Sequence, residues 1–209
     1  YRYLVYNANM TCIAFDTDPS TTIEWYYQAG YDMNVKYNVY SIKSIWVSYR
    51  TIVDTIQFYY RHRIDLFEDL LDKGARINYI RQSYITNSQL YKLDMIKKII
   101  NANVDLESLI SMLAFACVRG YETYIIEPLI IAVTQKECDI CNEKIISYSY
   151  QLAQYISVNS LYRHDELKSC LTFLEFVIET NRFDVLSLLH KHGHEPKMSD
   201  IRFDSSVNE

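Results

Sequence analysis

Apolar residues recur three and four positions apart in several short stretches, and each stretch closes on a glycine or an asparagine. The fullest stretch runs from Thr172 to Pro196. It carries Phe173 and Leu174, Val177 and Ile178, Val185 and Leu186, then Leu188 and Leu189, with Asn181 in the middle and Gly193 at the end. This spacing lays an apolar stripe along each of two helices, so the stretch reads as helix, turn, helix and turn. A unit so small cannot bury its own apolar face and needs stacked copies, which leaves an extended surface in place of a closed pocket.

The same frame recurs upstream. Gly30 follows Trp25-Tyr26-Tyr27-Gln28-Ala29, Gly74 follows Leu70-Leu71-Asp72-Lys73, and Asn103 follows Ile99-Ile100-Asn101-Ala102. Glycine closes a helix in the left-handed conformation without steric cost, and asparagine is the usual substitute. Gly120, after Leu113 to Arg119, falls instead where a turn between the two helices of a unit is needed, beside small Ala116 and Cys117. Asp65, Asp94 and Asp184 are expected in the first turns of helices, where a negative charge meets the positive end of the dipole. Pro19 after Asp18 is expected to open a helix, and Pro128 to kink or shorten one.

At these positions the chain resembles the ankyrin-repeat family. Thr172 to Pro196 keeps that frame without a gap, although Phe173 and Glu175 replace the Pro and His of the family's opening motif. Ile64 to Leu71 and Leu93 to Ile100 are similar to its outer helix. Gly30, Gly74, Asn103 and Gly193 lie 44, 29 and 90 residues apart, against a repeat of about 33. The resemblance therefore implies an all-α fold, an ankyrin-repeat solenoid of about five irregular helix–turn–helix units. The array is expected over 1–196, with an insertion near 35–50 and degenerate units over 133–168, including a helix from Glu143 to Val158. A loosely held tail is expected over 197–209. In its richness in Tyr, Ile and Asn the array also looks like those of poxviruses and related large DNA viruses.

The resemblance implies that turn tips and inner helices line a concave binding face. The partner-binding candidates are Tyr31, Asp32 and Asn34 from the first turn, Arg76, Asn78 and Tyr79 from the second, Val104 and Asp105 from the third, and His194 and Glu195 from the last. The structural alternative is that the Asp, Asn and Glu members only stabilise turns. The function this implies is a non-enzymatic protein–protein interaction module, in a viral setting a host-range or immune-evasion factor that captures a host or co-encoded protein in the cytoplasm. The alternative is a structural scaffold or a subunit of a larger assembly. As an isolated chain a monomer is expected.

Composition narrows the classes. The chain has 209 residues, 49% hydrophobic and 22% charged, enough for a folded core. Its 20 tyrosines suit both repeat interfaces and wet binding surfaces, because the ring can be buried while the hydroxyl stays solvated. A net charge of −5 and the absence of any run of five Lys or Arg residues disfavour nucleic acid as a partner. No apolar run approaches the ~18 residues of a membrane span. The five cysteines are odd in number and sparse, which fits a reduced compartment better than a disulfide scaffold. A chain that starts at Tyr1 is expected to be a portion of something longer.

Two motifs invite chemistry. Cys138-Asp139-Ile140-Cys141 has the spacing of half a zinc site, with His164 and Cys170 downstream, but the tight pair is not repeated, so no metal is expected. His190, His192 and His194 alternate across a helix end, where successive side chains diverge and capping is the expected role. No phosphate loop and no nucleophile with recognisable local context occurs, so no catalytic residue, no cofactor and no enzymatic activity is expected.

Overall fold

The structure is a computed structural model that describes residues 19–41, 44–60, 62–136, 138–141 and 172–195. These are predominantly helical. The elements are α1 (Pro19–Gln28), a hairpin of β1 (Tyr37–Ser41) and β2 (Ser44–Arg50), α2 (Ile52–Tyr59), α3 (Ile64–Asp72), α4 (Gln82–Ile85), a 3-10 turn (Ser88–Tyr91), α5 (Leu93–Asn101), α6 (Leu106–Val118), α7 (Thr123–Thr134), α8 (Phe173–Glu179) and α9 (Phe183–Lys191). The hairpin departs from the all-α expectation and occupies the span assigned to an insertion. It is antiparallel, with Tyr37 opposite Arg50 and an irregularity at Tyr40 and Ser41. The expected helix at Glu143–Val158, the tail beyond Pro196, and His164 and Cys170 lie outside the described residues.

One backbone device ends several of the helices. After α1 the Gly30 and Tyr31 amides donate to the Tyr27 and Tyr26 carbonyls, and after α3 those of Gly74 and Ala75 donate to Leu71 and Leu70. The same pairing recurs at Gly120 and Tyr121, at Asn181 and Arg182, and at Gly193 and His194. It satisfies carbonyls that a helix end would leave bare, and requires a left-handed residue at the turn. Asn103 (φ 58°) and Asn181 (φ 55°) are the two non-glycine residues at positive φ among the described residues. The substitution read from the sequence at Asn103 is therefore a real left-handed cap.

Helix starts also follow local chemistry. Thr51 and Asp54 form a reciprocal capping box on α2, as Thr172 and Glu175 do on α8. Asp65, Asp94 and Asp184 sit in the first turns of α3, α5 and α9, as the frame required. Pro128 does not shorten its helix, because α7 runs twelve residues through it. The carbonyl it leaves without an amide donor is that of Tyr124, a residue 59% exposed.

The chain divides into two compact units. The first comprises Tyr1–Tyr84 with Lys98–Val104, and the second Ile85–Lys97 with Asp105–Glu209. In the first, α3 packs against both α1 and α2, burying Ile23, Tyr26, Ile56, Phe67 and Leu70 completely. The Tyr84 ring lies 5.1 Å from Phe67 and its hydroxyl donates to the Tyr60 carbonyl at 3.0 Å.

In the second unit α6 is buried without a break from Ser108 to Cys117, and α7 packs against both α6 and α9. Tyr91 stacks on Tyr121 at 4.7 Å, and its buried hydroxyl lies 2.9 Å from the Ile85 carbonyl and 3.3 Å from that of Met112.

Candidate protein-interaction surface

In the first unit the turns after α1, α3 and α5 are laced edge to edge. The Asn34 side-chain oxygen accepts from the Arg76 backbone nitrogen at 2.7 Å, and the Ile77 amide donates to the Ala102 carbonyl at 3.2 Å. The second turn is extended, so its side chains alternate. Ala75 and Ile77 are buried while Arg76 and Asn78 are exposed. Tyr31, Asp32 and Tyr79 are exposed as well. One side-chain-to-backbone bond and one backbone bond tie these turns together, which lowers the backbone freedom left to lose on binding.

Several candidates serve the fold. Val104 is 1% exposed, because the extended residue after a left-handed turn points inward, and it cannot meet a partner. His194 is buried at 8% exposure, its Nε2 lying 2.7 Å from Thr134 Oγ1. That hydroxyl donates to the Ile130 carbonyl, so its lone pair faces the imidazole, which carries the proton on Nε2. Burial holds His194 below its ordinary pKa of 6.5. Asp105 caps α6 by accepting from the Ser108 amide at 2.9 Å. Asn34 is committed to Arg76, and the Asp32 carboxylate accepts from the Asn34 amide at 2.8 Å, so each stabilises a turn. Glu195 is exposed, in the second unit.

Tyr31 lies 4.5 Å from the buried Tyr26 ring and 5.8 Å from Trp25, which is 48% exposed. An open groove of about 670 Å³ beside Trp25 is lined by Ser20, Glu24, Gln28, Asp65 and Asp69. Its carboxylates are engaged already, Glu24 and Asp69 by Lys73 and Asp65 by Arg63. Hydrogen bonds from Lys73 and Gln28 hold Glu24 below its ordinary pKa, as that from Arg63 does Asp65.

A second cluster in this unit was not anticipated. Phe58 and Tyr59, at the end of α2, are 43% and 47% exposed, with ring centres 4.7 Å apart. The Arg81 guanidinium lies 4.4 Å over Phe58 and 5.8 Å from the Tyr79 ring. Buried Gln57 uses both ends of its amide here, its Nε2 donating to the Tyr79 carbonyl and its Oε1 accepting from the Arg81 amide. The usable sequence signal was Thr51-x-x-Asp54 ahead of an apolar run, which marks α2 and places Phe58 and Tyr59 at its far end.

Burial pushes the Cys117 thiol up to about 12, and Cys138 and Cys141 are buried. Among the described residues no group of three or more His, Cys, Asp or Glu is placed to hold a metal ion, and no helix is long and apolar enough to cross a membrane. The His192 Nε2 lies 2.9 Å from the Glu127 carboxylate, which Lys191 also reaches at 2.7 Å. Comparison of the chain with family models, curated proteins and solved structures returns no match.

Proposed function

We propose that the chain is an irregular ankyrin-repeat array and works as a non-enzymatic protein–protein interaction module. The carrying observation is the laced row of turns in the first unit, where the Arg76 amide donates to the Asn34 side chain and the Ile77 amide to the Ala102 carbonyl, with Tyr31, Arg76, Asn78 and Tyr79 exposed on the same turns. Tyrosine and arginine are the side chains that dominate protein interfaces, because each offers large contact area with a polar end. The recurring left-handed turn supports the repeat reading, since stacked units of one design need one design of helix ending. The viral part, a factor that captures a host protein in the cytoplasm, rests on likeness of composition to such arrays.

The test is affinity capture by the wild-type chain beside a Tyr31→Ala/Arg76→Ala double variant. Both substitutions remove exposed side chains and leave the backbone bonds intact, so the fold is retained. A partner held by the wild type and weakened about tenfold or more by the variant supports the reading. Equal retention by both moves the contact surface elsewhere.

A second reading, subunit of a larger assembly, draws support from the second unit. Phe183, at the start of α9, is 62% exposed, Tyr124 in α7 is 59% exposed and Ile131 is 36% exposed. Large apolar side chains left open on neighbouring helices suit a permanent contact. Solution mass separates the readings, since an obligate subunit self-associates and an interaction module is a monomer.

A further inference from the structure

We infer that Arg81 and its aromatic neighbours form a recognition point for an acidic residue set beside an apolar one in a protein partner. The inference rests on the reading of the chain as an interaction module and specifies the chemistry of the segment it captures. Three observations carry it. The guanidinium is pre-oriented, lying 4.4 Å over the Phe58 ring with its backbone nitrogen bound to Gln57 Oε1 at 2.7 Å. Gln57, 1% exposed, gives its other amide end to the Tyr79 carbonyl, so one buried side chain fixes both flanks. The charge of Arg81 is unmatched, because no carboxylate among the described residues pairs with it and its Nε is buried without a hydrogen-bond partner.

The contrast with two other arginines makes this informative. Arg63 and Arg182 each close on an aspartate two residues ahead, Asp65 and Asp184, with nitrogen–oxygen distances of 2.7 Å. At the same offset from Arg81 stands Ser83. An arginine placed over an aromatic ring, with no ion pair among the described residues, offers its donor fork to an outside oxyanion. Phe58, Tyr59 and Tyr79, at 43%, 47% and 39% exposure, supply apolar area around it for a neighbouring side chain of the same segment. A single cation on a chain of net charge −5 lacks the track of positive charge that a nucleic-acid backbone needs, so a peptide carboxylate is the matching oxyanion.

The experiment selects a phage-displayed random dodecapeptide library on the full chain and on the R81Q, R81K and Tyr31→Ala/Arg76→Ala variants, with thermal melting to establish folding. Peptides enriched on the wild type are expected to carry Asp or Glu beside an aromatic or aliphatic residue. Exchanging that acid for its amide is expected to weaken binding about tenfold, and R81Q to weaken it as much. R81K is expected to bind in between, since lysine keeps the charge and loses the fork. If R81Q does not fold, the amide exchange and R81K decide. Enriched peptides without an acid, or equal binding by R81Q, overturn the inference, as does an oligo(dT) probe that binds the wild type and is lost with R81Q. Acid-free peptides lost only in the Tyr31/Arg76 variant overturn this inference and leave the interaction reading standing. If the wild type enriches no peptide, the inference falls, and partner capture decides the broader reading by itself.

Discussion

The Asn34 side-chain oxygen lies 2.7 Å from the Arg76 backbone nitrogen, 42 residues away in the chain. A surface side chain thereby becomes the tie between the turns after α1 and α3. Asn34→Ala removes the acceptor and leaves an amide at an exposed edge, where water replaces most of the bond. A loss of about 0.5–1.5 kcal/mol in urea unfolding is expected. Binding that depends on Arg76 should weaken further than this stability loss explains, because the turn carrying Arg76 is no longer held in place. Unchanged binding by Asn34→Ala would remove the lacing from the functional argument.

Arg63 and Arg182 share one local motif and differ in what surrounds it. Arg182 also donates to the Cys117 and Tyr121 carbonyls at 2.9 and 2.7 Å, and its side chain is 12% exposed, whereas that of Arg63 is 45% exposed. Arg182→Ala strands two half-buried carbonyls and is expected to cost about 2–3 kcal/mol. Arg63→Ala breaks an exposed pair and is expected to cost less than about 1 kcal/mol. Parallel denaturant titrations check the ratio, and equal losses would show that the long-range bonds of Arg182 contribute nothing.

Asn103 and Asn181 sit at φ 58° and 55°, where a side chain with a Cβ is strained. Replacement of either by Gly is expected to change stability by a few tenths of a kcal/mol at most, and by Ala to cost about 1 kcal/mol. Thermal melting of the four single variants reads this directly. Tolerance of Ala at both sites would mean that these turns relax away from the left-handed conformation.

His194 links stability to acidity. Burial disfavours its charged form, with Asp139 opposing and His192 adding to that effect, so its folded pKa lies below its ordinary 6.5. As pH falls through 6.5 the unfolded chain takes up the proton first, so stability declines until the folded pKa is passed and then levels. Above 6.5 both states are neutral and nothing is lost. His194→Asn is expected to flatten the decline between about pH 6.5 and 5. The depressed carboxylates act in a separate window, since Glu127 and Asp184 start from ordinary values of 4.5 and 3.8 and lose their contribution only below those. A wild-type melting profile that is flat from pH 7 to 5 would contradict the assignment.

Local chemistry was legible without any fold. The turns at Gly30, Gly74, Asn103 and Gly193, and the acids opening α3, α5 and α9, are where the sequence put them. A left-handed turn and a helix dipole act within a few residues, so spacing along the chain is enough to find them. Which turn residues reach solvent was decided by tertiary structure alone. His194 shares its turn with exposed Glu195 and Val104 stands next to the cap Asp105, yet packing buries both, and Asn34 is taken up by a backbone amide 42 residues on. Arg182 reaching Cys117, and Gln57 holding Tyr79 and Arg81 beside Phe58, join residues that no short period relates. Period tells where a helix ends. What its side chains touch depends on which distant segment folds against it, and that is set by tertiary packing.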